Sequence, residues 1–232
     1  MEALFSGKAC FLDLEEWKYI ALQRPADSFF AQLYEKTDEL ARCIAKLPWL
    51  VKEAYALRTA NNLEASTMVR ISALIHHTLE VYGRLQHWYE EFVAFTPLPE
   101  EVPSSTQDQL YPVVYSYCNS SIATAFCGYY ATNIILHRIL IECHHPAGNT
   151  REVSLTVEKV CKSVEFLAAT GTLGPYRVGF AMRIAYEFAT VGTKLWIRKW
   201  LVQFEKFYKA CNPNNYPPIE AADGETSTPM PA

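Results

Sequence analysis

From Ile71 to Phe92 a stripe recurs every three or four positions, formed by Ile71, Leu74, Thr78, Val81, Tyr82, Leu85, Trp88, Tyr89 and Phe92. That spacing is the period of one face of an α-helix, and it predicts a long helix over about 63–95. Upstream, Phe29, Phe30, Leu33, Tyr34, Leu40, Ile44 and Leu47 keep the same period over 28–47, with Asp27 or Ser28 placed to cap the start. Pro48 interrupts the pattern, so a separate short helix is expected from Trp49 to about residue 60, ending at Asn61-Asn62.

The stretch "FTPLPEEVPSSTQDQ" holds three prolines between two apolar patterns and reads as a loop of irregular backbone over 96–107. From Leu110 to His137 no acidic or basic side chain appears before the terminal histidine, which gives a central helix. The stretch is long enough for a membrane span. Pro112, Asn119, Ser120, Ser121, Thr124, Thr132 and Asn133 make it too polar for lipid, and no membrane is expected. Helical patterns follow at about 151–169, 175–190 and 193–210, broken by "GTLGP" and Gly192-Thr193. Residues 212–232 are rich in Pro, Asn and small polar residues, the composition of a disordered tail.

No strand pattern competes with these helices. The predicted fold is all-α, an irregular multi-helix bundle of about seven helices with no sheet. Residues 1–211 form one domain, with 1–95 and 108–211 as two lobes joined by the 96–107 loop. Composition agrees: of 232 residues half are hydrophobic and only nine are glycine. The net charge of −4 supplies no field to gather nucleic acid. Seven cysteines, at 10, 43, 118, 127, 143, 161 and 211, form no Cys-x-x-Cys pair and read as reduced, mostly buried thiols. The first residues lack a basic start followed by an apolar run, so no secretory signal is expected.

Few stretches offer chemistry. Cys143-His144-His145-Pro146 sets three metal-capable side chains in a row. Consecutive helical residues point about 100° apart, and Pro146 and Gly148 mark a helix end, so a helix terminus explains the run without a metal. His76, Glu80 and His87 share one side of the 63–95 helix, opposite its apolar stripe, which makes them a solvated face. In the last helix Lys194, Arg198, Lys199, Lys206 and Lys209 segregate from Trp196, Trp200, Phe204 and Phe207, which gives a core side and a wet side. Tyr115, Asn119, Tyr130, Asn133 and His137 fall on one stripe of the apolar 110–137 segment. They are either an inter-helix hydrogen-bond network or the polar lining of a small-molecule pocket, and they are the candidate ligand-binding residues. No phosphate loop, nucleophile elbow, metal-binding helix motif or paired carboxylates appear. No catalytic, metal or DNA-binding residue and no cofactor is therefore expected.

In order along the chain stand "FLDLEEWKYI" (11–20), "DELARCIAKLPWLVKEAYAL" (38–57), "RLQHWYEEF" (84–92), "IILHRIL" (134–140), "LGPYRVGFAMRIAYEFAT" (173–190) and "KLWIRKWL" (194–201). This series resembles the C-terminal regulatory region of fungal binuclear zinc-cluster transcription factors, over about residues 11–208. The six closely spaced cysteines and basic segment of that family's DNA-binding module are not in this sequence. The resemblance implies a nuclear (alternatively cytoplasmic) transcription regulator without its own DNA contact, in control of a metabolic gene cluster. Such a chain is a truncated relative, a fragment of a longer protein, or a regulator acting through partners. It would work through a protein partner or homo-oligomer, with a small-molecule metabolite as a further effector. The alternative is a small helical cyclase or biosynthetic helper whose catalysis comes from shape and a few hydrogen bonds, with Tyr115, Asn133 and His137 as its groups. A third reading is a purely structural interaction module with exposed aromatic surface.

Overall fold

A computed structural model describes residues 29–59 and 65–219. The described chain is mostly helical, with six α-helices and one small sheet. The elements are α1 (Phe29–Thr59), α2 (Ala65–Phe95), β1 (Glu100–Pro103), β2 (Val113–Ser116), α3 (Ser120–Glu142), α4 (Thr150–Ala168), α5 (Gly174–Phe188) and α6 (Val191–Phe204). Single 3₁₀ turns lie at Gly171–Leu173, Lys209–Cys211 and Pro213–Asn215.

The expected break at Pro48 does not occur. α1 runs unbroken through it, with Leu47, Pro48 and Leu50 all buried. A proline inside a helix removes one donor and crowds the carbonyl four residues back. Here the apolar burial on both sides of Pro48 outweighs that local cost, and two expected helices become one. α2 lies antiparallel beside α1. Lys36 pairs with Glu91 at 2.7 Å near one end, and Arg70 pairs with Glu53 at 2.8 Å near the other. Trp88 Nε1 donates to the Lys36 carbonyl (2.6 Å), and Phe29 stacks on Phe95 at 5.0 Å.

The expectation of no sheet also fails. β1 and β2 form an antiparallel ladder, with Glu100 opposite Ser116 and Pro103 opposite Val113. Pro103 stands at the end of its strand, where a missing donor costs little. The segment 110–119 is therefore not the start of the central helix. That helix, α3, begins at Ser120, and the Asn119 side chain caps it by accepting from the Ile122 N–H at 2.9 Å.

α3 is apolar on nearly every side and is buried accordingly, from Ile122 through Leu140. α1, α2, α4 and α5 all pack against it. A Cβ added at Gly128 would sit 3.2 Å from Leu40 Cδ2, so this glycine sets how closely α1 and α3 approach. α4 is amphipathic, capped by Asn149 and packed on both β2 and α3. One continuous core collects Leu47 of α1, Phe92 of α2, Leu136 of α3, Val164 of α4, Met182 of α5 and Ile197 of α6.

Within 212–219, which the composition assigns to the tail, Tyr216 is held against the core while Asn214, Asn215, Pro217 and Pro218 are exposed. Tyr216 is buried with its ring 5.2 Å from that of Tyr186. The Pro217 carbonyl accepts from Tyr186 Oη (2.8 Å) and from Arg198 Nη2 (2.9 Å). The remainder of the expected tail, 220–232, lies outside the described residues.

Candidate functional site

The five expected ligand-binding residues do not share one stripe. Tyr130, Asn133 and His137 do lie on α3, but Tyr115 belongs to β2 and Asn119 is the cap. The strand turns Tyr115 toward α4, where Lys162 Nζ lies 5.6 Å from its ring centroid. Asn133, only 2% exposed, sits in a directed series of long hydrogen bonds. Tyr129 Oη donates to Gln86 Oε1 (3.4 Å), Gln86 Nε2 to Asn133 Oδ1 (3.4 Å), and Asn133 Nδ2 to Thr156 Oγ1 (3.4 Å). Thr156 then donates to Glu152 Oε1 at 3.5 Å. The series ties α2, α3 and α4 together and ends on a carboxylate at the first turn of α4, where the helix dipole favours negative charge.

His137 lies one turn further along α3, 3% exposed, its ring 5.1 Å from that of Tyr82. Neither ring nitrogen meets a hydrogen-bond partner among the described residues. Burial holds its pKa below the ordinary imidazole value, against the opposing charge of Glu152 and the nearby Ala147 backbone. Tyr130 is buried among Phe126 and Tyr129, and burial raises its phenol far above the usual range. None of the five lines any of four cavities found among the described residues.

The Cys143-His144-His145 run ends α3 in a Schellman turn. His145 N–H donates to the Leu140 carbonyl (2.9 Å), and His144 N–H donates to the Ile141 carbonyl (2.9 Å). His144 takes the left-handed position, φ 52°, that glycine usually fills. His145 Nδ1 accepts from the Ala147 N–H at 3.2 Å. Among the described residues no three His, Cys, Asp or Glu side chains gather where they could hold a metal ion. His76, Glu80 and His87 are exposed on α2, in the solvated face expected of them. Among the described residues no helix is long and apolar enough to cross a membrane.

Two carboxylates that the sequence did not single out organise the loop after β1. Glu165 of α4 accepts from Ser104 Oγ (2.7 Å), Ser105 N–H (2.6 Å) and Ser105 Oγ (2.6 Å). Asp108 accepts from the Leu110 and Tyr111 N–H groups and, at 2.6 Å, from Trp196 Nε1. Burial raises the Glu165 pKa, but the hydrogen bonds from Ser105, Ser104 and Thr106 outweigh it and leave the carboxyl below its ordinary value. The thiols beside this region are inert, since burial pushes Cys127 and Cys161 each up to about 12.

Two cavities stand out by their walls. A cleft of about 550 Å³ lies between α4 and the α5–α6 turn, bounded by Tyr111, Val157, Glu158, Lys162, Phe188 and Thr193. A groove of about 320 Å³ runs between α1, α3 and α5. Val51, Ala54, Ile135, Ile139, Ile184 and Phe188 form its floor, with Arg58 and the pairs Arg138–Glu142 and Arg183–Glu187 at its rim. Only its floor residues on α3 were legible as apolar; its shape arises from three helices meeting. Comparison with family models, with curated proteins and with solved structures returns no match.

Proposed function

We propose that this chain is a transcription-regulatory domain of the fungal zinc-cluster type that lacks its own DNA-binding module. It acts in the nucleus by contact with a protein partner or a second copy of itself, in control of a metabolic gene cluster. The observation that carries this reading is how the core polar groups are used. Tyr129, Gln86, Asn133 and Thr156 bond helix to helix, and Tyr117 and Tyr111, which flank β2, bond to Ser163 of α4 (2.6 Å) and Thr193 of α6 (3.3 Å). These bonds hold elements to one another, and at the 550 Å³ cleft Lys162 and Glu158 pair with each other at 2.9 Å, which supports a packed interaction domain over a reaction centre.

The ordered series of sequence segments from 11 to 201 adds the family expectation. An effector metabolite, on this reading, enters the cleft walled by Tyr111, Glu158, Lys162 and Thr193. The five polar residues named from the sequence are not among its walls. The deciding experiment fuses the chain to an unrelated DNA-binding module and measures transcription from a reporter carrying that module's site. A change in reporter output that survives substitution of His137 by Leu supports a regulatory, non-catalytic domain. No change in output, together with product formed from metabolite extract by the purified chain, overturns it in favour of a biosynthetic helper.

A further inference from the structure

We propose that the groove between α1, α3 and α5 binds a small aliphatic carboxylate, with the chain lying along an isoleucine floor and the carboxylate held by Arg58. Small-molecule sites are mostly apolar clefts of about 300–1,000 Å³, often set between the helices of bundles, with a few charged or polar groups that fix orientation. The groove has a volume of about 320 Å³, an apolar floor and a charged rim.

The floor selects the body of the ligand. Ile135 and Ile139 of α3 and Ile184 of α5 line the groove, yet they are only 5%, 4% and 4% exposed. The space above them is therefore a narrow slot, which admits a flexible alkyl chain and excludes a fused ring system. Phe188, the aromatic wall, does not change this. Its ring is already covered by Arg138, whose guanidinium carbon lies 5.0 Å from the ring centroid, so that ring face is taken.

The rim selects the head group. Three arginines and two glutamates stand there, a net charge of +1. Glu142 accepts from Arg138 Nη2 (2.7 Å), and Glu187 pairs with Arg183. Both glutamates are thereby used, and Arg58 is left without an acidic partner among the described residues. Arg58 is exposed in the last turn of α1, one turn from Tyr55. Arg138 is pinned between Phe188 and Glu142 and still has a buried Nε with no hydrogen-bond partner among the described residues.

The rim thus holds more N–H donors than acceptors, and its one unpaired positive charge fits a monoanion. A guanidinium presents a planar fork of donors that matches the two oxygens of a carboxylate. A cationic ligand would find both glutamates already paired. The groove shares only Phe188 with the 550 Å³ cleft, so the two sites can be occupied together. The carboxylate site goes beyond the regulatory reading and does not rest on it, and failure of the chain to bind the probe below leaves the reporter result as it stands.

The test titrates the full chain with decanoate in a calorimeter, below the concentration at which decanoate forms micelles. One saturable site is expected, with affinity falling about fourfold for each methylene removed on going to octanoate. Decanol, which lacks the charge, and decylammonium, which inverts it, are expected to bind about fivefold more weakly than decanoate or worse. Arg58→Gln alters an exposed side chain without disturbing the fold. It is expected to lower decanoate affinity about fivefold and to leave decanol affinity as it was. Ala54→Phe fills the slot and is expected to abolish binding of both, with the helical circular dichroism unchanged. Should Ala54→Phe disturb the packing, Arg58→Gln alone still decides. The proposal is overturned by absence of saturable binding, by uptake proportional to concentration, by equal affinity for decanoate and decanol, or by an Arg58→Gln chain that binds decanoate as tightly as the unaltered one. A dimer, seen by sedimentation, that Ala54→Phe dissociates and decanoate does not also overturns it, since the groove would then hold a second copy.

Discussion

His137 carries two buried ring nitrogens without partners among the described residues, an arrangement that costs stability and makes the fold sensitive to acid. Its folded pKa lies below the value of about 6.5 it has when unfolded, so the unfolded chain binds the proton more tightly. Stability is then flat above about pH 6.5 and falls as the pH drops from there toward the folded pKa. His137→Leu keeps similar volume and removes both unmet groups. It is expected to raise stability at neutral pH by about 1 kcal/mol and to flatten the slope below pH 6.5, as read by urea midpoints across pH. A retained slope would move the acid sensitivity to another group. His144 makes a second, independent case. Its φ of 52° suits glycine and strains a β-branched residue. His144→Val is therefore expected to lower stability by about 1–2 kcal/mol, and His144→Gly to be neutral or stabilising, in thermal unfolding.

At the scale of elements, the first turn of the loop between β1 and β2 depends on the Glu165 carboxylate. Glu165→Ala leaves Ser104 and Ser105 without their acceptor and is expected to cost about 2 kcal/mol. Amide exchange is expected to quicken over 104–108 but not in α1 or α2. The Glu165 pKa is depressed, so its contribution is complete above about pH 4.5 and is lost as the pH falls through the folded value. The variant should show a shallower acid slope in that range. These dependencies explain what could be read from sequence. α2 was legible because its stripe from Ile71 to Phe92 repeats over six turns and answers to burial alone. Pro48 misled because a local rule speaks of one hydrogen bond, whereas the helix is held by apolar contact on both sides of it. β1 and β2 were not legible: each has four residues, and the loop between them is fixed by Glu165, about sixty positions away. Asn133 and His137 were legible as buried polar groups within an apolar run. Tyr115 was misplaced because a strand, not a helix, decides which way it points.

At the scale of the molecule, α1 and α2 share one core with the rest of the described chain, although a proline-rich connection separates them in sequence. Leu40 and Ile44 of α1 close on Gly128 of α3, Trp88 of α2 stacks on Tyr129 of α3, and Phe92 of α2 meets Phe126 of α3 edge to face. Aromatic contacts of this kind add about 0.5–1.5 kcal/mol each to the burial they share, so the two parts should not melt separately. A single urea transition is expected, with hydrogen exchange in α1–α2 and in α4–α6 rising at the same midpoint. Gly128→Leu tests the coupling directly. A Cβ alone would already meet Leu40 at 3.2 Å, so the larger side chain must push α1 away from α3. The cost is expected to be about 1–3 kcal/mol. It should appear first as faster exchange in α1, because α3 keeps its contacts with α4 and α5. If the unaltered chain unfolds in two steps, or if Gly128→Leu speeds exchange equally in α6, the shared core does not act as one cooperative unit.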